Sequence, residues 1–139
     1  MPHLTVDLRN RIDDLPKLTG MLAQCGERFG IPEPLIHQLE LALDEIVTNV
    51  ISYAYSDDAA HLIRVDVGVQ DNEITAVVED DGVPFNPLER AAPVTTAAIE
   101  DRAIGGLGIH LVRELMDRVH YDRVGNRNRL TITRMMGPA

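Results

Sequence analysis

Apolar residues recur at Ile36, Leu39, Leu43, Ile46, Val47, Val50 and Ala54. The recurrence follows the 3.6-residue period of an α-helix and predicts one long amphipathic helix from about Pro34 to Tyr55. A stripe of that length has to be covered, and the flanking segments offer the cover. Leu4, Val6 and Leu8 alternate with polar residues over 3–9, as a half-buried strand does. Residues 11–28 carry a second helical stripe, Leu15, Leu18, Met21 and Leu22, which ends at Gly30-Ile31-Pro32. Ile63, Val65, Val67 and Val69 alternate over 61–70, Asp71-Asn72 turns the chain, and 73–79 forms the second strand of a hairpin. A third helix is expected from Gly106 to about Arg118, burying Ile109, Val112, Leu115 and Met116, and then a hairpin of 119–124 and 129–135 around Gly125-Asn126. Residues 82–104 have little periodicity and are too long for an ordinary connection, which suits a functional lid. The order β-α-α-β-β-lid-α-β-β predicts an α/β two-layer sandwich. Its sheet should be mixed, mostly antiparallel, and covered by helices on one face.

The length of 139 residues suits one domain spanning 1–139. A net charge of -9 argues against general nucleic-acid binding and favours basic protein partners. It leaves room for a phosphate site, which needs only local donors. Cys25 is the only cysteine, so no internal disulfide forms, and a reducing cytoplasmic setting is expected. No apolar run is long enough to span a bilayer, and the N-terminus shows no signal-peptide pattern. The histidines at 3, 37, 61, 110 and 120 show no metal-ligand spacing with Cys25 or one another.

Three constellations carry chemistry. Glu45 and Asn49 are four apart and stack on one face of the long helix, off its apolar stripe. Alone, such a pair is most simply a solvated face. In a site, the carboxylate can take a proton and the amide oxygen can bind a hard cation. Asp80-Asp81-Gly82-Val83-Pro84-Phe85 follows a strand directly. It reads either as a strand-ending turn or as an acceptor for a base amino group, with Gly82 allowing close backbone approach. Gly105-Gly106-Leu107-Gly108 opens the third helix, as a flexible entry or as a loop whose bare N–H groups hold phosphates. No Gly-Lys-Ser/Thr follows, so it is not a Walker A loop.

The order of these motifs resembles the GHKL ATPase superfamily of gyrase, heat-shock chaperones, histidine kinases and MutL. Within it the chain is most similar to the small bacterial anti-sigma factor serine-protein kinases. The runs Leu41-Ala-Leu-Asp-Glu-Ile-Val-Thr-Asn49 and Gly105-Gly-Leu-Gly-Ile-His-Leu-Val112 carry the likeness, which extends from about Leu4 to Met135. The resemblance implies the Bergerat ATP-binding fold, with ATP and Mg2+ as cofactors. It implies Glu45 as catalytic base and Asn49 as magnesium ligand. Asp80 and Gly82 would meet the adenine, with Thr131 near it, and Gly105, Gly106, Leu107 and Gly108 would hold the phosphates. It further implies serine/threonine kinase activity toward an anti-anti-sigma (STAS-type) protein, sequestration of a sigma factor, and a homodimer, for which strand 3–9 offers an edge.

One position departs from the family pattern. The motif usually reads Asp-x-Gly-x-Gly, and Pro84 stands at the second glycine. Proline fixes φ and removes an N–H donor, so the lid hinge should be stiffer. That departure keeps a second reading open, a nucleotide-gated protein-binding regulator with little or no kinase activity.

Overall fold

The computed structural model describes residues 2–89 and 106–137. Most of the expected lid, and Gly105, lie outside the described residues. The elements are β1 (His3–Arg9), α1 (Leu15–Phe29), α2 (Glu33–Tyr53), β2 (Leu62–Gln70), β3 (Glu73–Asp80), α3 (Gly106–Leu115), β4 (Arg118–Val124) and β5 (Arg127–Met135). The five strands form one sheet in the order β1-β2-β3-β5-β4. All four pairings are antiparallel, so the sheet is not mixed. The reason lies in the helical hairpin between β1 and β2. Two helices out and back return the chain to the end of the sheet where β1 stopped, so β2 runs in the opposite direction.

Local chemistry sets the boundaries. The stripe beginning near residue 11 does not start α1 there; residues Ile12–Asp14 form a short 3-10 turn first. Buried Asp14 holds that turn, accepting from the Arg9 backbone N–H at 2.8 Å, Arg9 Nη2 at 2.8 Å and Lys17 Nζ at 3.3 Å. The Arg9 guanidinium keeps the Asp14 carboxyl far below the usual carboxylate range. Pro16 then sits in the first turn of α1, where its missing N–H costs nothing, and Gly30 closes the helix at φ 66°. Asp71 (φ 53°) and Asn72 (φ 66°) make a two-residue β2–β3 turn of the kind that matches strand twist.

The core lies between helices and sheet. Leu18 and Leu22 of α1, Leu39, Leu43, Ile46 and Val47 of α2, Ile63, Val65 and Val67 of β2, and Ile74 and Ile132 of the neighbouring strands are all buried. No helix among the described residues is long and apolar enough to cross a membrane. The opposite face of the sheet carries no helix among the described residues and is polar. One row crosses all five strands there: Asp7, Arg64, Glu79, Arg129 and Asp122 are successive cross-strand partners of alternating sign. Arg64 Nε lies 3.1 Å from Asp7, and Arg129 Nε lies 2.8 Å from Glu79.

Candidate functional site

The site starts on α2. Glu45 is half-buried, and Asn49 is fully buried at 0% exposure. Sequence periodicity left both free to meet solvent. Asn49 is not, because α1, α3 and β3 all pack on α2 and widen its buried surface beyond the apolar stripe. Asn49 Nδ2 donates to Glu45 Oε2 at 3.0 Å. A carboxylate can only accept, so this bond fixes the orientation of the amide. Asn49 Oδ1 then faces away, buried, with no hydrogen-bond partner among the described residues. An orphaned buried carbonyl oxygen costs stability and calls for a function. A hard divalent cation takes oxygen donors of this kind, so the residues present fit Mg2+.

Ile46 and Val50, which alternate with Glu45 and Asn49 along α2, line a narrow pocket with Val78, Asp80, Phe85, Asn128 and Leu130. Neither Glu45 nor Asn49 lines this pocket; their neighbours in sequence do, which brings α2 against the Asp80 segment. Asp80 is the last residue of β3 and is buried at 2% exposure. Its Oδ1 accepts from the Gly82 backbone N–H at 2.8 Å and from Asn128 Nδ2 at 2.9 Å. Burial raises the Asp80 pKa, while the two donors and Arg123 work against that rise. The residue is an acceptor set in apolar walls, the chemistry needed to recognise an amino group on a flat ring.

Gly82 serves a purpose that sequence reasoning missed. A Cβ built there would lie 2.2 Å from the carbonyl oxygen of Ala54, just past α2. The glycine lets the 80–85 segment touch the end of the helix, where Val83 N donates to the same Ala54 oxygen at 2.7 Å. Pro84 is exposed in this segment. Tyr53 packs on Phe85 with ring centroids 5.8 Å apart.

Gly106, Leu107 and Gly108 form the first turn of α3, and α3 packs along α2. A helix of this kind begins with N–H groups that can hold an anion, and α2, on which α3 packs, is the helix that carries Glu45 and Asn49. Gly105 lies outside the described residues.

Thr131 is not brought to the pocket. It pairs with Val77 and His120, out of phase with buried Leu130 and Ile132. Period-two alternation therefore sends it to the open face of the sheet. The residue that does meet Asp80 is Asn128, its direct partner in the β3–β5 register. The sequence held a signal for it. Asn128 is in phase with Leu130 and Ile132, but a strand starting at 129 leaves it in the turn.

Comparison with known proteins bears on the whole arrangement. A family profile described as the histidine kinase-like ATPase domain matches residues 8–134. The serine/threonine-protein kinase BtrW of Bordetella bronchiseptica is 27% identical over 100 residues, covering 72% of this chain and 70% of that protein. The serine-protein kinase RsbW of Bacillus subtilis is 29% identical over 115 residues, covering 80% of this chain and 70% of that one. Among solved structures, the RsbU and RsbW domains of a Mycobacterium tuberculosis protein superpose with a TM-score of 0.68 at 16% identity, over 97% of this chain and 32% of that one. The histidine kinase domain of an Erythrobacter litoralis blue-light activated kinase gives 0.57 at 20% identity, over 89% of this chain and 60% of that one. Both structures share the fold of helices laid on one side of an antiparallel sheet. By sequence and by fold, the chain belongs to the histidine kinase-like ATPase domain family.

Proposed function

We propose that this chain binds Mg-ATP and phosphorylates a serine or threonine of a STAS-type anti-anti-sigma partner, and that it sequesters a sigma factor in the alternative complex. The observation that carries the reading is the Glu45–Asn49 pair, with its buried amide oxygen that has no partner among the described residues. The kinase names of the similar proteins support it. The cytoplasm is the proposed setting and a homodimer the proposed assembly. β1 lies at the edge of the sheet and leaves one side for pairing with a second copy.

In this reading the adenine inserts beside Asp80 among Ile46, Val50 and Leu130, where the cavity of about 10 Å³ has to widen to admit it, and its amino group donates to the Asp80 carboxylate. The N-terminal turn of α3, with Gly106 and Gly108, receives the phosphates. Asn49 Oδ1 would hold Mg2+, which when bound neutralises charge on the phosphate oxygens. Glu45 takes the proton from the partner's hydroxyl. The hydroxyl oxygen forms its bond to the γ-phosphorus as the bond from that phosphorus to the β–γ bridging oxygen breaks, and ADP leaves. Incubation with labelled ATP and a candidate anti-anti-sigma protein tests this directly. Transfer should occur with the unaltered chain and disappear in Glu45→Gln while ATP binding persists. ATP binding without any transfer by the unaltered chain would sink the kinase reading.

Pro84 favours a second reading, a nucleotide-gated regulator with little or no turnover. Around it Gly82 O, Val83 N, Val83 O and Phe85 N are all hydrogen-bonded, so the base of the lid segment is tied down on both sides of the proline. Pro84→Gly separates the two. A faster transfer rate in the variant is expected if stiffness limits turnover.

A further inference from the structure

Asn128 is buried at 3% exposure, and its carboxamide is fully used. Nδ2 donates to Asp80 Oδ1 at 2.9 Å and to Val83 O at 2.8 Å. Oδ1 accepts from Phe85 N at 3.1 Å, from Arg123 Nη1 at 3.1 Å and from the Tyr121 hydroxyl. Two donors and an acceptor at one point are a combination that, at this length, only asparagine supplies. Aspartate would oppose a second carboxylate to Asp80, and leucine would break five hydrogen bonds, leaving Val83 O, Phe85 N and the Tyr121 hydroxyl without the partner they have here.

We propose that Asn128 is the positioning residue that sets which purine this site accepts. The inference rests on the nucleotide reading of the Asp80 pocket and adds a residue to it. Asn128 and the Gly82 N–H together occupy Oδ1 of Asp80. The carboxylate is thereby locked in rotation, and its other oxygen is the one left to face a base. Burial is the larger influence and raises its pKa, and the two bonds donated to it oppose that rise by favouring the charged form. A fixed, ionised acceptor takes a 6-amino purine and repels a 6-oxo purine. A carboxyl group that can rotate or hold a proton can donate to the 6-oxo oxygen, and the distinction weakens. Asn128 also grips Val83 and Phe85, so the same side chain sets the acceptor and the wall beside it. Among the described residues, the other charged or titratable groups near Asp80 are Asp81 in its own loop, Tyr121 and Arg123 on β4, and Tyr55 after α2.

The test measures affinity for ATP and for inosine triphosphate, which differs at the 6-position in carrying oxygen for nitrogen, across pH 5.5–8.5 in the intact chain. Asn128→Leu is expected to weaken ATP by roughly tenfold or more, the worth of a hydrogen bond to a charged group. Inosine triphosphate should change little, so the preference for ATP shrinks by a similar factor. The acid-side loss of ATP affinity should also begin at higher pH than in the parent. Asn128→Gln keeps the amide but displaces it, and gives a smaller shift of the same sign should the leucine variant not fold. Ile132→Ala, which thins β5 without touching Asp80, controls for stability; it should lower Tm and leave the preference intact. An unchanged ATP-to-inosine preference and pH profile in the Asn128 variants overturns this assignment alone. Failure of the unaltered chain to bind ATP overturns the nucleotide reading and the assignment with it.

Discussion

Replacing Gly82 by alanine tests the joint between α2 and the Asp80 loop. The added methyl would sit 2.2 Å from the Ala54 carbonyl oxygen, and 2.8 Å from the Ala54 carbonyl carbon and Cβ. Ordinary contact needs roughly an ångström more, and two of these atoms are backbone, so no side chain can swing aside. The loop must lift. Lifting stretches the 2.7 Å bond from Val83 N to Ala54 O and moves the Gly82 N–H off Asp80. Overpacking of this kind costs about 1–3 kcal/mol, and a lost hydrogen bond adds about 1 kcal/mol, giving about 2–4 kcal/mol. For a chain of this size the drop in Tm is roughly 6–16 °C. Thermal unfolding followed by circular dichroism reads it, and ATP affinity should fall in parallel because an Asp80 donor moves. Gly20→Ala supplies the contrast. Gly20 lies inside α1, is exposed, and has nothing within 4 Å of the point where a methyl group would sit. Alanine there should raise stability by roughly 0.5–1 kcal/mol through helix propensity alone. Equal effects at the two glycines, or a Gly82→Ala chain that melts within about 2 °C of the parent, would refute the contact argument.

Asn49→Leu removes an orphaned buried oxygen and with it the 3.0 Å bond to Glu45, so in chelator its Tm should fall little while magnesium-dependent ATP binding is lost; a large fall in both would make Asn49 structural. Leu43→Ala, at 0% exposure in the middle of α2, should cost about 2–5 kcal/mol by chemical denaturation, and a smaller loss would mean the core collapses around the cavity. His61 lies 2.8 Å from Asp57 and 3.0 Å from Asp81, one carboxylate on each ring nitrogen, and its pKa is raised, first by the bond to Asp57. A pKa raised in the folded state makes its contribution to stability full below about pH 6.5 and lost as pH rises through the folded value. His61→Gln should therefore flatten the fall in Tm between mildly acid and alkaline pH, and an unchanged slope would remove His61 from that role.

The helices and hairpins were legible because each rests on a local period, and Leu39 through Val50 declares its own buried side. Glu45 and Asn49 were legible as a spacing within one helix, and Asp80 as the end of a strand just ahead of a glycine. What escaped required register between elements. Asn128 acquires meaning only when β5 is set beside β3, and Thr131 drops out for the same reason, on the opposite face of the same strand. Gly82 reads in sequence as a freedom of the chain, whereas its requirement comes from Ala54, a residue 28 positions earlier (82 minus 54) at the end of another element. The turn at 12–14 likewise depends on Asp14 finding Arg9 across a bend that no helical period records.

The alternating row across the open face of the sheet acts as a proofreader of strand alignment. A slip by two residues keeps every side chain on its proper face, so burial alone cannot detect it. Charge can. Sliding β1 along β2 in one direction would set Asp7 against Asp66 and Arg9 against Arg64, in place of the native Asp7–Arg64 pair. Sliding β3 along β2 in one direction would set Glu79 against Asp66. Like charges directly opposed destabilise a sheet, so these mispaired chains are penalised before the site on the far side has formed.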